Sequence, residues 1–313
     1  MSRLDLAATI LFMLPLSVVA AGARQGPVAP QAEGTRHVYF TVVDRKGDPV
    51  ADLSADELTI REDGAERAVV GVQHATAPLQ IALLVDDSGP GLRFIREGAG
   101  VFIQRLGGLG DVTLTSTGGK NTLLVDFTRR VDDLYAGVRQ LTTRNTGNAV
   151  DGAYLLDAVH DAIDALGSRE PERPAIVVLT LESAEFSSRR ADRLLDELQR
   201  SRAVLHVVSL GKPTLKTMAG WNEGPMQAIR ENLDENMNRK KFLADGVRQS
   251  GGTFAQVLVD SGVPAAMNGV AVDLASQYVA VYKRSGSQEP RKINVAVKRS
   301  GAKVRARTEF VSK

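Results

Sequence analysis

The chain has 313 residues, 43% hydrophobic and 24% charged, with a formal net charge of +2. That length holds one large folded unit or two modest ones, and so small a net charge implies no nucleic-acid partner by itself. Cysteine is absent, which excludes disulfides, thiolate metal sites and cysteine nucleophiles. Aromatic residues make up only 5%, so a core must be built mainly from Val, Leu, Ile and Ala.

Residues 1–23 read as an export signal. Arg3 supplies positive charge, Leu6 to Ala21 is apolar, and Ala21-Gly22-Ala23 has the small-x-small pattern of a cleavage site. Cleavage after Ala23 would leave no membrane-spanning segment, because no later apolar run is long enough. The mature protein is then expected in the periplasm or outside the cell. Residues 24–35 hold Pro27, Pro30 and no hydrophobic period, as a linker does.

Residues 36–78 read as a β segment. His37 to Asp44 is rich in β-branched and aromatic residues. Leu58 to Glu62 alternates apolar and polar, Asp63-Gly64 is a hairpin signal, and Ala68 to His74 returns as a strand. From Leu79 the pattern becomes strand–helix alternation. Ile81 to Val85 is a continuous apolar run, as in a strand buried on both faces of a parallel sheet. Leu92, Ile95, Ala99, Phe102 and Leu106 then share one helical face. A strand pair follows through Gly118-Gly119, then helices around Leu134 and Val159. Ala175 to Leu179 and Ala203 to Val208 are further buried strands, with a helix between them capped by Ser187 or Ser188. Residues 211–241 break the alternation and read as an inserted loop with some helix. A short helix over Phe242 to Gln249, a strand over Thr253 to Val259 and a helix over Pro264 to Ser276 complete the unit at 79–276. Residues 277–313 revert to three antiparallel strands with Gly turns. The fold class is therefore α/β, a doubly wound and mostly parallel sheet. It is flanked by N- and C-terminal antiparallel β segments, which have the option of pairing into one small β module.

The carboxyl end of the Ile81–Val85 strand carries Asp86, Asp87, Ser88, Gly89, Pro90 and Gly91. Open α/β sheets place ligands at this edge. The order of elements resembles a von Willebrand factor A-type domain, and more closely a group of exported bacterial proteins with a short β segment before it. The matching pieces are Val42 to Val50, Asp56 to Gly64, Ala82 to Gly89, Leu155 to Val159, Ile176 to Thr180, Ser250 to Phe254 and Gln277 to Tyr282. The resemblance implies a divalent cation such as Mg²⁺ held by Asp-x-Ser-x-Ser, a Thr and a second Asp, with a partner's carboxylate completing the shell. Mg²⁺ needs six oxygens in near-octahedral array. Here Asp86 and Ser88 match, but the second Ser is Pro90, the Thr position falls on Ala153 and the second Asp on Leu181. Glu182 and Asp151 are the nearest substitutes. Asp86 and Ser88 are accordingly expected to be the remnant of a metal site, with no cofactor; a surviving Mg²⁺-dependent adhesion site is the alternative.

A second Asp-Ser-Gly stands at Asp260-Ser261-Gly262. Paired with Asp87-Ser88-Gly89, it offers an aspartic-protease-like dyad, Asp87 with Asp260, sharing a proton around water. The helical periods between them argue against such an enzyme. His37, His74, His160 and His206 lack metal-ligand spacing, and no nucleophile elbow or phosphate loop is present.

From Lys283 to Lys313 ten Lys/Arg face only Glu289 and Glu309, a local net of +8. This basic segment could meet anionic polysaccharide or a membrane surface. Alternatively, Arg305 and Arg307 are the solvated face of an edge strand, the reading adopted. Nucleic acid is not expected, since the tail lacks interleaved stacking aromatics. The function expected is a non-catalytic, exported protein-binding, adhesion or assembly module.

Overall fold

The computed structural model describes residues 34–89, 91–142, 152–211, 226–284 and 292–308, with backbone alone over 226–233. The export signal, residues 24–33 of the linker, Pro90 and Asp151 lie outside the described residues.

The first strands are β1 (Thr35–Val43), β2 (Leu58–Glu62), β3 (Ala65–Arg67) and β4 (Val69–His74). The alternating section then runs β5 (Leu79–Val85), α1 (Leu92–Leu106), β6 (Gly110–Ser116), β7 (Thr122–Thr128), α2 (Val131–Gln140), β8 (Gly152–Ala153) and α3 (Leu155–Gly167). It continues with β9 (Arg173–Leu181), β10 (Ala184–Glu185), α4 (Ala191–Ser201), β11 (Val204–Leu210), α5 (Met226–Ser250), β12 (Phe254–Val257) and α6 (Val263–Ala275). β13 (Tyr278–Lys283), β14 (Ile293–Val297) and β15 (Lys303–Ala306) follow.

The central sheet has six strands in the order β12-β11-β9-β5-β6-β7. All neighbours are parallel except β6 and β7, which form an antiparallel edge. β5 and β9 lie at its middle, which is why every residue of β9 is buried and why both read as unbroken apolar runs. Ile81, Leu83 and Val85 face α1 and α6, while Ala82 and Leu84 face α3 and α4. Each fully buried Leu, Ile or Val of this kind contributes about 1.5–3 kcal/mol.

The flanking β segments pair with one another. One sheet has the order β15-β1-β13-β4 and a second the order β14-β2-β3. Val38, Phe40 and Tyr282 from the first sheet meet Leu58, Ile60 and Ile293 from the second in a common core. The three tail strands therefore do not form a meander; each is matched to an N-terminal strand. The hairpin at Asp63-Gly64 is real, with φ of 50° and 86° at the two residues, the positive pair that a tight two-residue turn demands. β3 is its return strand, and β4 crosses to the other sheet.

Three expectations are corrected. Residues 226–250 form one 25-residue helix, α5, so the helix at Phe242 to Gln249 is only its last part; residues 212–225 of the insertion lie outside the described residues. β12 ends at Val257, leaving Leu258 and Val259 exposed. α4 begins at Ala191 behind Arg190, which makes no side-chain cap. Ser187 instead accepts a hydrogen bond from the Asp157 N–H, 3.0 Å away at the start of α3.

The basic tail is also different from expectation. Arg305, on β15, pairs with the buried Asp273 of α6. Arg307 is buried and donates to the carbonyls of Gln199 and Ala203. Arg299 is held by Asp52 and Glu57 at 2.6 and 2.8 Å. Arg305 and Arg307 are thus turned toward the α/β section, while Arg299 is held at the surface of the β module. Gly251, at φ of +80°, lets this crossing happen: an added Cβ would stand 2.3 Å from the Ala306 carbonyl carbon. Among the described residues, no helix is long and apolar enough to cross a membrane.

Candidate functional site

The loop after β5 brings Asp86 and Ser88 to the carboxyl edge of the sheet, where Asp86 is fully buried and Ser88 nearly so. The Asp86 carboxylate is enclosed by donors from its own chain. Oδ1 accepts from the Ser88 N–H at 3.0 Å and the Ser88 hydroxyl at 2.6 Å. Oδ2 accepts from the Leu181 N–H at 3.2 Å, the Ser183 hydroxyl at 2.8 Å and, more weakly, the Thr180 hydroxyl at 3.4 Å. A carboxylate offers about four lone-pair sites, so these five contacts saturate it. The two backbone N–H groups cannot turn away as hydroxyls can.

The other expected ligand positions are apolar. Ala153 is fully buried, between Gly118 on one side and Glu185 on the other. The Leu181 side chain lies over Gly89, where its Cδ1 would be 2.8 Å from an added Cβ. Glu182 is turned away and accepts from Gln256 Nε2 at 3.2 Å. Among the described residues this donor set falls short of the six-oxygen shell that Mg²⁺ requires.

Asp87 faces the other way. Its Oδ1 accepts from the Ser116 hydroxyl at 2.6 Å and the Gly118 N–H at 3.2 Å, and its Oδ2 accepts from the Thr142 N–H at 3.0 Å. It thereby ties the ends of β5 and β6 to Thr142, just beyond α2. Asp260 sits in a 3-10 turn beyond β12, beside Gly91. No hydrogen bond joins Asp87 to Asp260, and the Asp87 oxygens are already taken by donors.

Two buried charged residues complete the edge. Glu185 accepts from the N–H groups of Leu156 (3.5 Å) and Ser187 (3.2 Å) through Oε1, while Oε2 has no hydrogen-bond partner. It thus caps α3, whose N-terminal dipole favours a negative group. Burial pushes its carboxyl above the usual range, opposed by the Ser187 hydrogen bonds and by the charge of Arg239. Arg239 reaches in from α5, buried, and donates to the Leu181 carbonyl at 3.4 Å. Neither residue is signalled by local pattern: Glu185 lies in a polar connection and Arg239 in a polar helix. Thr180 and Ser183 were findable, as hydroxyls following a buried strand at the edge where such sheets carry their sites.

No model of a known protein family matches the chain, and no curated protein matches it. Solved structures do. An aerotolerance-related membrane protein from Bacteroides fragilis is 12% identical, over 62% of this chain and 98% of that one, with a TM-score of 0.45. BatB from Bacteroides thetaiotaomicron is 15% identical, over 62% and 97%, with a TM-score of 0.42. A von Willebrand factor type A protein from Catenulispora acidiphila is 10% identical, over 90% and 75%, with a TM-score of 0.46. By its own strand order, antiparallel edge and helices on both faces, this chain has a von Willebrand factor A-like α/β fold joined to a β module built from both flanking segments.

Proposed function

We propose that this protein is an exported, non-catalytic binding or assembly module that recognises another protein through the carboxyl edge of its central sheet, without a metal ion. The observation that carries the reading is the Asp86 carboxylate. It is saturated by Ser88, Thr180, Leu181 and Ser183, while Ala153 and Leu181 stand at positions where the resembling domains put oxygen ligands. An edge closed in this way keeps its shape without an ion, and its loops remain available as a recognition surface. The export signal read in the sequence and the engagement of both Asp87 oxygens by Ser116, Gly118 and Thr142 support the same reading.

The test is calorimetric titration of purified protein with Mg²⁺ and Mn²⁺, together with partner capture from the native envelope in Mg²⁺ and in EDTA. The expected result is no saturable heat and a partner retained equally in both buffers. One-to-one metal binding abolished by Asp86→Ala, or a partner released by EDTA, would overturn the metal-free reading. Peptide-bond hydrolysis lost in Asp87→Asn would overturn the non-catalytic one.

A further inference from the structure

We infer that the segment entering α4, Ser188 to Arg193, is the docking point for an acidic segment of the partner protein. This rests on the binding reading above and names the partner's chemistry. A surface cavity of about 360 Å³ opens here, lined by Ser188, Arg189, Arg190, Arg193, Leu194 and Glu197. α4 follows β9 and β10, so the cavity lies at the carboxyl edge of the sheet, on the side of α3.

The charge state of the cavity points to an anion. Arg190 and Arg193 are exposed, and neither guanidinium makes a hydrogen bond or ion pair among the described residues. Three neighbouring carboxylates are already engaged: Glu197 by His160 at 2.8 Å, Asp192 by Lys241, and Asp157 by Arg189 at 3.9 Å. Asp192 is held below the usual carboxylate range chiefly by Lys241, with a lesser contribution from Arg190. Two guanidinium groups without a hydrogen bond or ion pair among the described residues therefore stand beside three carboxylates that already have other partners.

The frame beneath them is fixed. Asn238 of α5 accepts from the Ala191 N–H and donates to the Arg189 carbonyl, each at 2.8 Å, and Leu194 is locked in the core. Arg190 and Arg193 are three residues apart and share one side of the helix start. Planar guanidinium groups take carboxylates bidentately, so the pair suits two acidic side chains of one peptide. A long polysulfated chain fits less well, because Asp192, Asp196 and Glu197 follow along the same helix and would repel it.

The experiment measures binding of a fluorescein-labelled hexaglutamate peptide and, in parallel, a sulfated hexasaccharide. Wild-type protein is compared with R190E/R193E and with the control R105E/R200E, which reverses two exposed arginines elsewhere; circular dichroism checks folding, with R190Q/R193Q used if the reversal does not fold. The expected result is peptide binding that weakens at least about tenfold in R190E/R193E, as loss of two charge-assisted contacts requires. It should be unchanged in R105E/R200E and fall as salt rises. No peptide binding by wild-type protein, equal weakening in both double variants, or binding of the saccharide alone would overturn it. If R190E/R193E still captures the envelope partner in EDTA, the docking point is wrong and the binding reading stands; if wild-type protein captures none, the binding reading itself fails.

Discussion

At the scale of single residues, Asp86 is the feature on which the edge depends. Five donors converge on it, and four residues other than itself supply them. Asp86→Ala would strand the N–H groups of Ser88 and Leu181 in a buried site. Each unsatisfied buried group costs about 1–3 kcal/mol, so urea unfolding should show a loss of about 3 kcal/mol or more. The loss should be identical with and without Mg²⁺; a loss seen only with the ion present would mean that Asp86 serves a metal. His206 makes the second prediction at this scale. It is fully buried in β11, with Nδ1 2.9 Å from the Thr253 hydroxyl and Nε2 4.0 Å from Asp273, which Arg305 already holds. Burial lowers its pKa, and Arg305 adds to that against the attraction of Asp273. A histidine with a depressed folded pKa binds fewer protons folded than unfolded once pH drops below about 6.5. Stability should therefore be full at pH 7.5 and fall below about pH 6.5, with a limiting slope of about 1.4 kcal/mol per pH unit. Urea midpoints at pH 7.5, 6.0 and 5.0 would show it, and His206→Gln should flatten that part of the profile.

At the scale of elements, the strands and helices of the central sheet were legible because each carries its own period. β5 and β9 are continuous apolar runs, and α1 repeats at three and four. The 3-10 turn at Asp260 and the full length of α5 were not legible, since polar residues around Asn236 and Arg239 hide a helix whose buried apolar side chains, among the described residues, are Phe242, Leu243 and Val247. The site was half legible. Asp86 and Ser88 follow directly from a strand that ends in acids, but Ser183 and Leu181 reach Asp86 from almost a hundred residues away. The basic tail was misread for a physical reason: alternation of charged and apolar residues marks a two-sided strand, and does not say what covers the charged side. On β15, Lys303 stays exposed while Arg305 meets Asp273 of α6. Arg305→Ala should thus leave Asp273, only 5% exposed in its side chain, without its cation. Breaking a buried pair costs about 3–5 kcal/mol. With the Arg305 side chain 32% exposed, about 2 kcal/mol is the expected loss in urea unfolding. In a double-mutant cycle, Asp273→Asn should recover much of it; simple additivity of the two changes would show that the pair is not coupled.

At the scale of the whole described molecule, the chain leaves the β module after β4 and returns to it at β13. Both connections are short, and β13 pairs with β1 over six residues and with β4 over five. The α/β section is thus closed at its base by the module it interrupts. Polar contacts reinforce this closure. Arg173, buried at the start of β9, donates to the carbonyls of Ala75, Ala77 and Leu274 and to the Gln277 side chain. Tyr39 donates to Glu172 at 3.1 Å, and burial together with that carboxylate pushes its phenol up to about 12. Thr41 reaches the Asp273 carbonyl, and the Thr308 N–H reaches Gln249. With so many buried donors spanning the seam, opening it would leave several polar groups unpaired at about 1–3 kcal/mol each. The β module and the α/β section should therefore unfold together. Calorimetry should give one transition with equal calorimetric and van't Hoff enthalpies, coincident with loss of near- and far-ultraviolet dichroism. Arg173→Met should lower that transition while keeping it single if the remaining contacts suffice. Two resolved transitions in the unmodified protein would mean that the module and the inserted section are independent, and that contacts across their seam contribute little.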